Sequence, residues 1–197
     1  MGTGNRQTEA DELQRDRARL TELRTREPRE YQREAGLTEA IGIHLAMEER
    51  FAEAEATFRE AIAIGEEHGD PMRHQRQQAL AGAIAAQGRA ADALSHYRLG
   101  LEFALLDCDE SNNSIAVARY FLANHLAQMR LFEEALALIP EGILWGQRPM
   151  MHCLRAQCHN GLGQISDAKT EAEKAVAACE SDAERMNIQD QLIDLLA

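Results

Sequence analysis

The chain has 197 residues and a formal net charge of −12, and only 5% of its residues are aromatic. This length suits one ordinary domain or a short array of repeats. A negative surface repels phosphate, so nucleic acid and anionic membranes are poor partners. The abundance of Ala, Leu, Glu and Arg, with only 4 prolines, favours helices. Because no long stretch alternates apolar and polar residues, we predict an all-α protein.

The start of the sequence lacks the apolar segment of a secretory signal. No window approaches the roughly 18 apolar residues of a membrane-spanning helix. The 4 cysteines are too sparse for a disulfide scaffold. We therefore expect reduced thiols, a cytoplasmic location and no membrane partner.

Residues 1–34 form the first predicted segment, which contains 8 arginines and 8 acidic residues. The remainder of the chain therefore carries the whole net charge of −12. The stretch 8–26 is helix-prone, but only Leu13, Leu20 and Leu23 can anchor it. We predict a loosely docked charged helix that breaks at 26–28, with Pro28 in the first position of the next helix. A disordered tail and a partner-binding or dimerising arm are the alternatives.

Residues 35–180 contain a recurring pattern of small and aromatic residues. In "RFAEAEATFREAIAI", Ala54, Phe58 and Ala61 are spaced by four and three residues, which places them on one helical face. The later counterparts are Ala93, Tyr97 and Gly100, then Ala135 and Ile139, then Ala168, Ala172 and Ala175. The units begin near residues 35, 74, 116 and 149.

Each of these helices follows another helix that carries an apolar residue beside a small one. The pairs are Ile41 with Gly42, Leu80 with Ala81, Leu122 with Ala123 and, more loosely, Leu154 with Ala156. A further apolar or ring residue follows each pair: Leu45, Ile84, Leu126 and His159. Glycine occupies the turn between the helices at Gly88 and Gly163, whereas Glu49 and Arg130 replace it in the other two units.

This arrangement resembles the tetratricopeptide repeat, a helix–turn–helix unit that stacks into a solenoid. The family pattern is a small residue in helix A followed by Ala-x3-Phe/Tyr-x2-Ala in helix B, and the first two units match it closely. The long steps resemble kinesin light chains and bacterial peptide-responsive regulators, whose units have about 42 residues. The resemblance implies a right-handed α–α superhelix of about four repeats. Small residues would let helices A and B approach closely, and Phe58 or Tyr97 would fill the seam against the next unit.

Residues 181–197 form the last predicted segment, a helix that covers the exposed face of the final repeat. Ser181, with Asp182 beside it, can cap the N-terminus of this helix. We predict that its apolar stripe consists of Met186, Leu192, Ile193 and Leu196.

The sequence contains no P-loop, no G-x-G-x-x-G, no G-x-S-x-G and no H-E-x-x-H motif. The densest group of reactive residues is "HCLRAQCHNG" at 152–161. On a helix, His152 and His159 would lie about 10 Å apart, too far to share one metal. We therefore predict no metal site, no cofactor, no catalytic residue and no enzymatic activity.

Functional candidates lie instead on the concave face that the A helices would form. Amide side chains there can both donate to and accept from an extended peptide backbone, and by resemblance the family uses groove asparagines in this way. The predicted peptide-binding residues are Gln78, Tyr120, Asn124, Gln128, Gln157 and Asn160, with Asn124 the best candidate. The clamp for a C-terminal carboxylate found in chaperone-binding members is not expected, because its places hold Glu39, Ile43, Gln78 and Gly82.

The sequence thus predicts a non-enzymatic module that binds a protein or peptide segment in its groove. One alternative is a regulatory sensor that changes its superhelical pitch when a peptide binds. Another is a homodimeric scaffold that assembles through its end repeats or its N-terminal helix. The segment "LIPEGILWGQRPMM", which contains Trp145, is either an interface or a linker against the core. The amides could also be ordinary solvated surface.

Overall fold

The computed structural model describes residues 3–109, 113–139 and 148–196, and all regular elements within these ranges are helices. In chain order they are α1 (Thr3–Arg24), α2 (Tyr31–Met47), α3 (Phe51–His68), α4 (Arg73–Ala86), α5 (Ala90–Asp107), α6 (Asn113–Gln128), α7 (Phe132–Leu138), α8 (Arg148–Gly161), α9 (Ile165–Ala177), α10 (Asp182–Gln191) and α11 (Ile193–Leu196). The prediction of an all-α fold is confirmed. The chain divides into two compact units, Met1–Asp107 and Cys108–Ala197. The Trp145 segment lies mostly outside the described residues.

In the first unit, α2 packs against α3 and α4 packs against α5, and α3 joins the two pairs by packing on α4. The N-terminal helix α1 lies against α2. Its three leucines, Leu13, Leu20 and Leu23, are buried. Pro28 does not begin a helix as predicted, because α2 starts only at Tyr31.

Small residues set the distance between the helices of each pair in the first unit. Ala54 and Ala61 are fully buried, and the Phe58 ring packs on Gly42 of α2. A Cβ atom at Gly42 would lie 2.6 Å from that ring, so only glycine fits. The expectation that Phe58 fills the seam against the next unit therefore needs refinement, because its ring packs on helix A of its own unit.

All four turns between helices A and B have the same hydrogen-bond pattern. In the first, the amide of Glu49 donates to the carbonyl of Ala46 at 3.0 Å, and that of Arg50 donates to Leu45 at 2.9 Å. This pair of bonds defines the Schellman motif, which requires a left-handed residue after the helix. The left-handed residues are Glu49, Gly88, Arg130 and Gly163, with φ of 60°, 79°, 62° and 73°. In each turn, the hydrogen bond that spans five residues is accepted by a backbone carbonyl; these carbonyls belong to Leu45, Ile84, Leu126 and His159.

In the second unit, α6 packs against α7 and α8, and α8 packs against α9. The ring of Phe132 on α7 lies over Gly161 at the end of α8, where a Cβ atom would overlap it. The buried residues of α9 are Ala168, Glu171, Ala172 and Ala175. None of the helices within the described ranges combines the length and the hydropathy needed to cross a membrane.

The C-terminal helices α10 and α11 pack on α8 and α9. The Ser181 hydroxyl accepts a hydrogen bond from the Glu184 amide at 3.2 Å, so the predicted N-cap is confirmed. The predicted apolar stripe is wrong at Met186 and Ile193, which are 66% and 64% exposed. Leu192 is buried as predicted and, with Ile188 and Leu195, joins Ala168, Ala172 and Ala175 in one core cluster, while the side chain of Leu196 lies outside the described ones. Met186 and Ile193 are seven residues apart in the sequence, as are Ile188 and Leu195. Packing of the C-terminal helices on α8 and α9 determines which pair is buried.

Candidate peptide-binding surface

Five of the six predicted peptide-binding residues lie in the second unit. Tyr120, Asn124 and Gln128 occupy successive turns of α6, and their spacing of four places them on one face. Gln157 and Asn160 lie on the neighbouring helix α8. Tyr120 and Asn124 are half-buried, whereas the other three side chains are exposed.

Cys153 connects the face of α6 with that of α8. Its thiol is 2% exposed, and burial raises its pKa to about 11, so the sulfur remains protonated and neutral. Burial raises the pKa of the Tyr120 hydroxyl, and the nearby Cys153 raises it further. The Gln157 amide nitrogen lies 3.7 Å from the Cys153 sulfur. The two helices therefore meet at an uncharged polar junction.

The sequence interpretation missed a third row of amides on α10. The Cys153 thiol donates to the Gln191 side-chain oxygen at 3.4 Å. Gln191 in turn donates to the side-chain oxygen of Asn187, one turn earlier, at 3.3 Å. An amide pair at i and i+4 was visible in the sequence, but only the packing of α10 on α8 brings it beside the other amides.

We call this surface the amide face. It comprises Tyr120, Asn124, Gln128, Gln157, Asn160, Asn187 and Gln191. None of these side chains carries a formal charge, although the chain as a whole carries −12. Within the described ranges, no hydrogen bond from the side chain of Asn124, Gln128 or Asn160 is found.

Gln78, the sixth predicted residue, lies in the first unit and is only 9% exposed. It packs toward α5, where a Cβ atom at Gly100 would lie 3.1 Å from the Gln78 side chain. Near it on α4, Arg76 is nearly buried and pairs with Glu39 at 3.2 Å and with Asp70. The Gln78 amide is therefore buried, whereas those of Gln128, Gln157 and Asn160 are exposed.

The cluster at 152–161 serves structural contacts. His152 contacts the buried carboxylate of Glu171 at 2.8 Å, and His159 contacts Gln164 at 2.6 Å. Cys158 is fully buried, which raises the pKa of its thiol to about 11. Within the described ranges, no group of three His, Cys, Asp or Glu side chains could hold a metal ion.

Glu171 of α9 is the most strongly held acidic group of the second unit. Besides His152, it accepts hydrogen bonds from Arg155 at 3.0 Å and from Lys174 at 2.8 Å. Burial would raise the pKa of this carboxyl group, but the surrounding hydrogen bonds and the charge of Arg155 lower it to about 2. Glu171 is therefore ionised at neutral pH and ties α8 to α9.

Comparison with solved structures identifies the architecture. BtubC (BKLC) from P. vanneervenii superposes with a TM-score of 0.74 at 17% identity, covering 96% of this chain and 85% of that one. The chain has the fold of a tetratricopeptide-repeat protein. The TPR-like repeats of a putative kinesin light chain from Podosopora anserina match with a TM-score of 0.67 at 18% identity, covering 80% and 83% of the two chains. MamA (41-end) from Desulfovibrio magneticus RS-1 matches with 0.58 at 15%, covering 82% and 93%.

The predicted tetratricopeptide fold is therefore confirmed, and identities of this size show the fold alone. No protein-family model matches the sequence, and the search of curated proteins finds no match.

Proposed function

We propose that this tetratricopeptide-repeat chain is a protein-interaction module that binds an extended peptide segment on the amide face. The observation that supports this proposal is the run of neutral amides across α6, α8 and α10, with Asn124 on α6. Amides offer both a donor and an acceptor, which matches the alternating groups of an extended backbone. A face built in this way recognises the peptide main chain and tolerates many side chains.

Each neutral hydrogen bond contributes only about 0.5–1.5 kcal/mol net, so useful affinity requires several of them together. The open amides of Asn124, Gln128 and Asn160 lie on two helices, so one peptide can bridge α6 and α8. The lack of formal charge on this face favours a neutral segment, because a charged side chain would lose hydration without gaining a partner. The partner is therefore a protein or peptide segment, with no cofactor or metal between them.

A peptide selected from a random phage-displayed library on the purified chain provides the probe. Asn124→Ala combined with Asn160→Ala should weaken its binding by about 1–3 kcal/mol, roughly 5- to 150-fold, measured by isothermal titration calorimetry. Gln75→Ala, which removes an exposed amide from α4, is the matched control and should bind as the wild type does.

A second series tests whether the peptide backbone is what the amide face binds. N-methylation at single positions of the selected peptide should reduce binding more than alanine substitution at the same positions, because it removes a backbone donor. If alanine substitution of peptide side chains causes the larger losses, or if the double variant binds normally, the proposal is wrong.

A further inference from the structure

A cleft between α1 and α2 stands apart from the amide face and has a different character. We call it the N-terminal cleft; its volume is about 660 Å³, and its lining includes Arg19, Leu23, Arg26, Arg33, Gly36 and Leu37. The leucines form an apolar floor and the three arginines form the rim. Glu22 is the one acidic residue among its lining residues, so the cleft is positive within a strongly acidic chain.

The rim arginines are exposed. The side chains of Arg19, Arg26 and Arg33 are 70%, 50% and 66% exposed. Among the described residues, Arg26 pairs with Glu22 and Arg33 with Glu30, both exposed acids, whereas the Asp16 partner of Arg19 is only 14% exposed. Exposed pairs of this kind contribute little to stability, so an incoming acidic group can replace the local one at little cost.

Gly36 gives a second and independent reason to expect a ligand in the cleft. Glycine weakens a helix interior relative to alanine, and other glycines here are explained by close neighbours, such as Phe58 at Gly42 and Phe132 at Gly161. A Cβ atom at Gly36 would have no atom within 4 Å. No contact among the residues that the structure describes explains this glycine, whereas a side chain or helix entering the cleft would.

The C-terminal helices present a surface with complementary chemistry. Met186 on α10 and Ile193 at the start of α11 are two large apolar residues that are 66% and 64% exposed. Asp182 and Asp190, each four residues from Met186, share its face of α10, and the 94% exposed Asp182 side chain pairs with the exposed Arg185 at 3.1 Å. We call these four residues the C-terminal face. On α10, Met186 and the two aspartates lie on the side opposite Ile188, which is buried in the core cluster with residues of α8 and α9.

We propose that the N-terminal cleft binds the C-terminal face of a second copy of this chain. Met186 and Ile193 would enter the apolar floor over Gly36, and Asp182 and Asp190 would meet the arginine rim. The two surfaces are complementary in both charge and apolarity, and each lies on a terminal helix. The contact is heterologous, so it joins copies head to tail into a ring or an open chain.

Sedimentation velocity of the full chain at rising protein concentration tests the proposal. The mean mass should increase with concentration and decrease with added salt, because salt screens exposed ion pairs. Arg26→Glu with Arg33→Glu removes the rim charge, and Met186→Lys with Ile193→Lys destroys the opposite surface. Each double variant alone should associate at least about tenfold more weakly than the wild type.

Mixing the two double variants distinguishes this contact from other kinds of association. Each variant keeps one intact surface, so the mixture should form a 1:1 dimer that does not grow further. Arg59→Glu with Arg98→Glu is the control matched in net charge on exposed positions of α3 and α5, and it should associate as the wild type does. Gly36→Trp should block the cleft while leaving the circular dichroism spectrum unchanged.

A wild type that stays monomeric at every concentration would overturn the proposal. So would association that survives in both double variants, or a mixture of them that fails to dimerise. Because peptide binding is measured on the amide face, either proposal can fail without the other.

Discussion

The pair α2–α3 in the first unit and the pair α8–α9 in the second are joined by the same turn but closed in different ways. In the first pair, the Phe58 ring packs on Gly42. In the second pair, Ala172 occupies the position that corresponds to Phe58, and α9 contributes only small apolar residues. The adjacent Glu171 is instead buried and held by three basic side chains of α8 and α9.

This difference shows that the repeat geometry does not depend on one kind of contact. The small residues and the turn set how the two helices approach, and either an aromatic ring or a buried carboxylate with its partners completes the seam. An apolar seam is insensitive to pH, whereas an ionic seam is not. The two seams should therefore respond differently to mutation and to acid.

The largest effect is expected from Phe58→Ala. Removing a fully buried ring from a packed seam should lower the free energy of unfolding by about 3–5 kcal/mol, measured by urea denaturation. Phe121→Ala provides the control, because this ring is 41% exposed and its loss should change stability by no more than about 0.5 kcal/mol. Equal losses from the two substitutions would mean that the Phe58 seam is not a major source of stability.

Glu171→Gln should have the next largest effect and should differ in its pH dependence. The pKa of Glu171 lies at about 2 instead of the ordinary 4.5, so the folded state prefers the ionised form. The substitution should cost on the order of 3 kcal/mol near neutral pH. A lowered pKa stabilises the fold above the ordinary pKa, so this contribution should be lost as the pH falls from 4.5 toward 2.

Glu173→Gln, on an exposed position of the same helix, serves as the control for Glu171→Gln. Urea denaturation at several pH values should show the cost of Glu171→Gln shrinking with acidification, while the cost of Phe58→Ala stays constant. A cost of Glu171→Gln that does not change between neutral and acidic pH would contradict an ionic seam.

The repeat could be predicted from the sequence because its signal is local. Ala54, Ala93, Ala135 and Ala168 are all fully buried, as their helical spacing to the neighbouring small and aromatic residues indicated. Positions along one helix determine which side chains share a face, so a recurring face appears directly in the sequence.

The rest depended on contacts between distant residues. Met186 with Ile193 and Ile188 with Leu192 are both apolar pairs at helical spacing, and only packing on α8 and α9 determines which is buried. Glu171 is one acid among many on acidic helices, so nothing local indicated its burial. The row of Asn187 and Gln191 joined the candidate site for the same reason: its helix packs beside α8.

The turns allow the smallest test, since they are what the two compared helix pairs share. Glu49 adopts φ of 60°, a left-handed conformation that costs an ordinary residue about 1–2 kcal/mol and glycine almost nothing. Glu49→Gly should therefore raise the free energy of unfolding by about 1 kcal/mol, and the reverse change, Gly88→Glu, should lower it by a similar amount. Arg130→Gly should gain less, because the Arg130 guanidinium lies 5.8 Å from the Phe132 ring and glycine removes that contact. If urea denaturation shows no gain for Glu49→Gly, the stability of the turn does not depend on its left-handed residue.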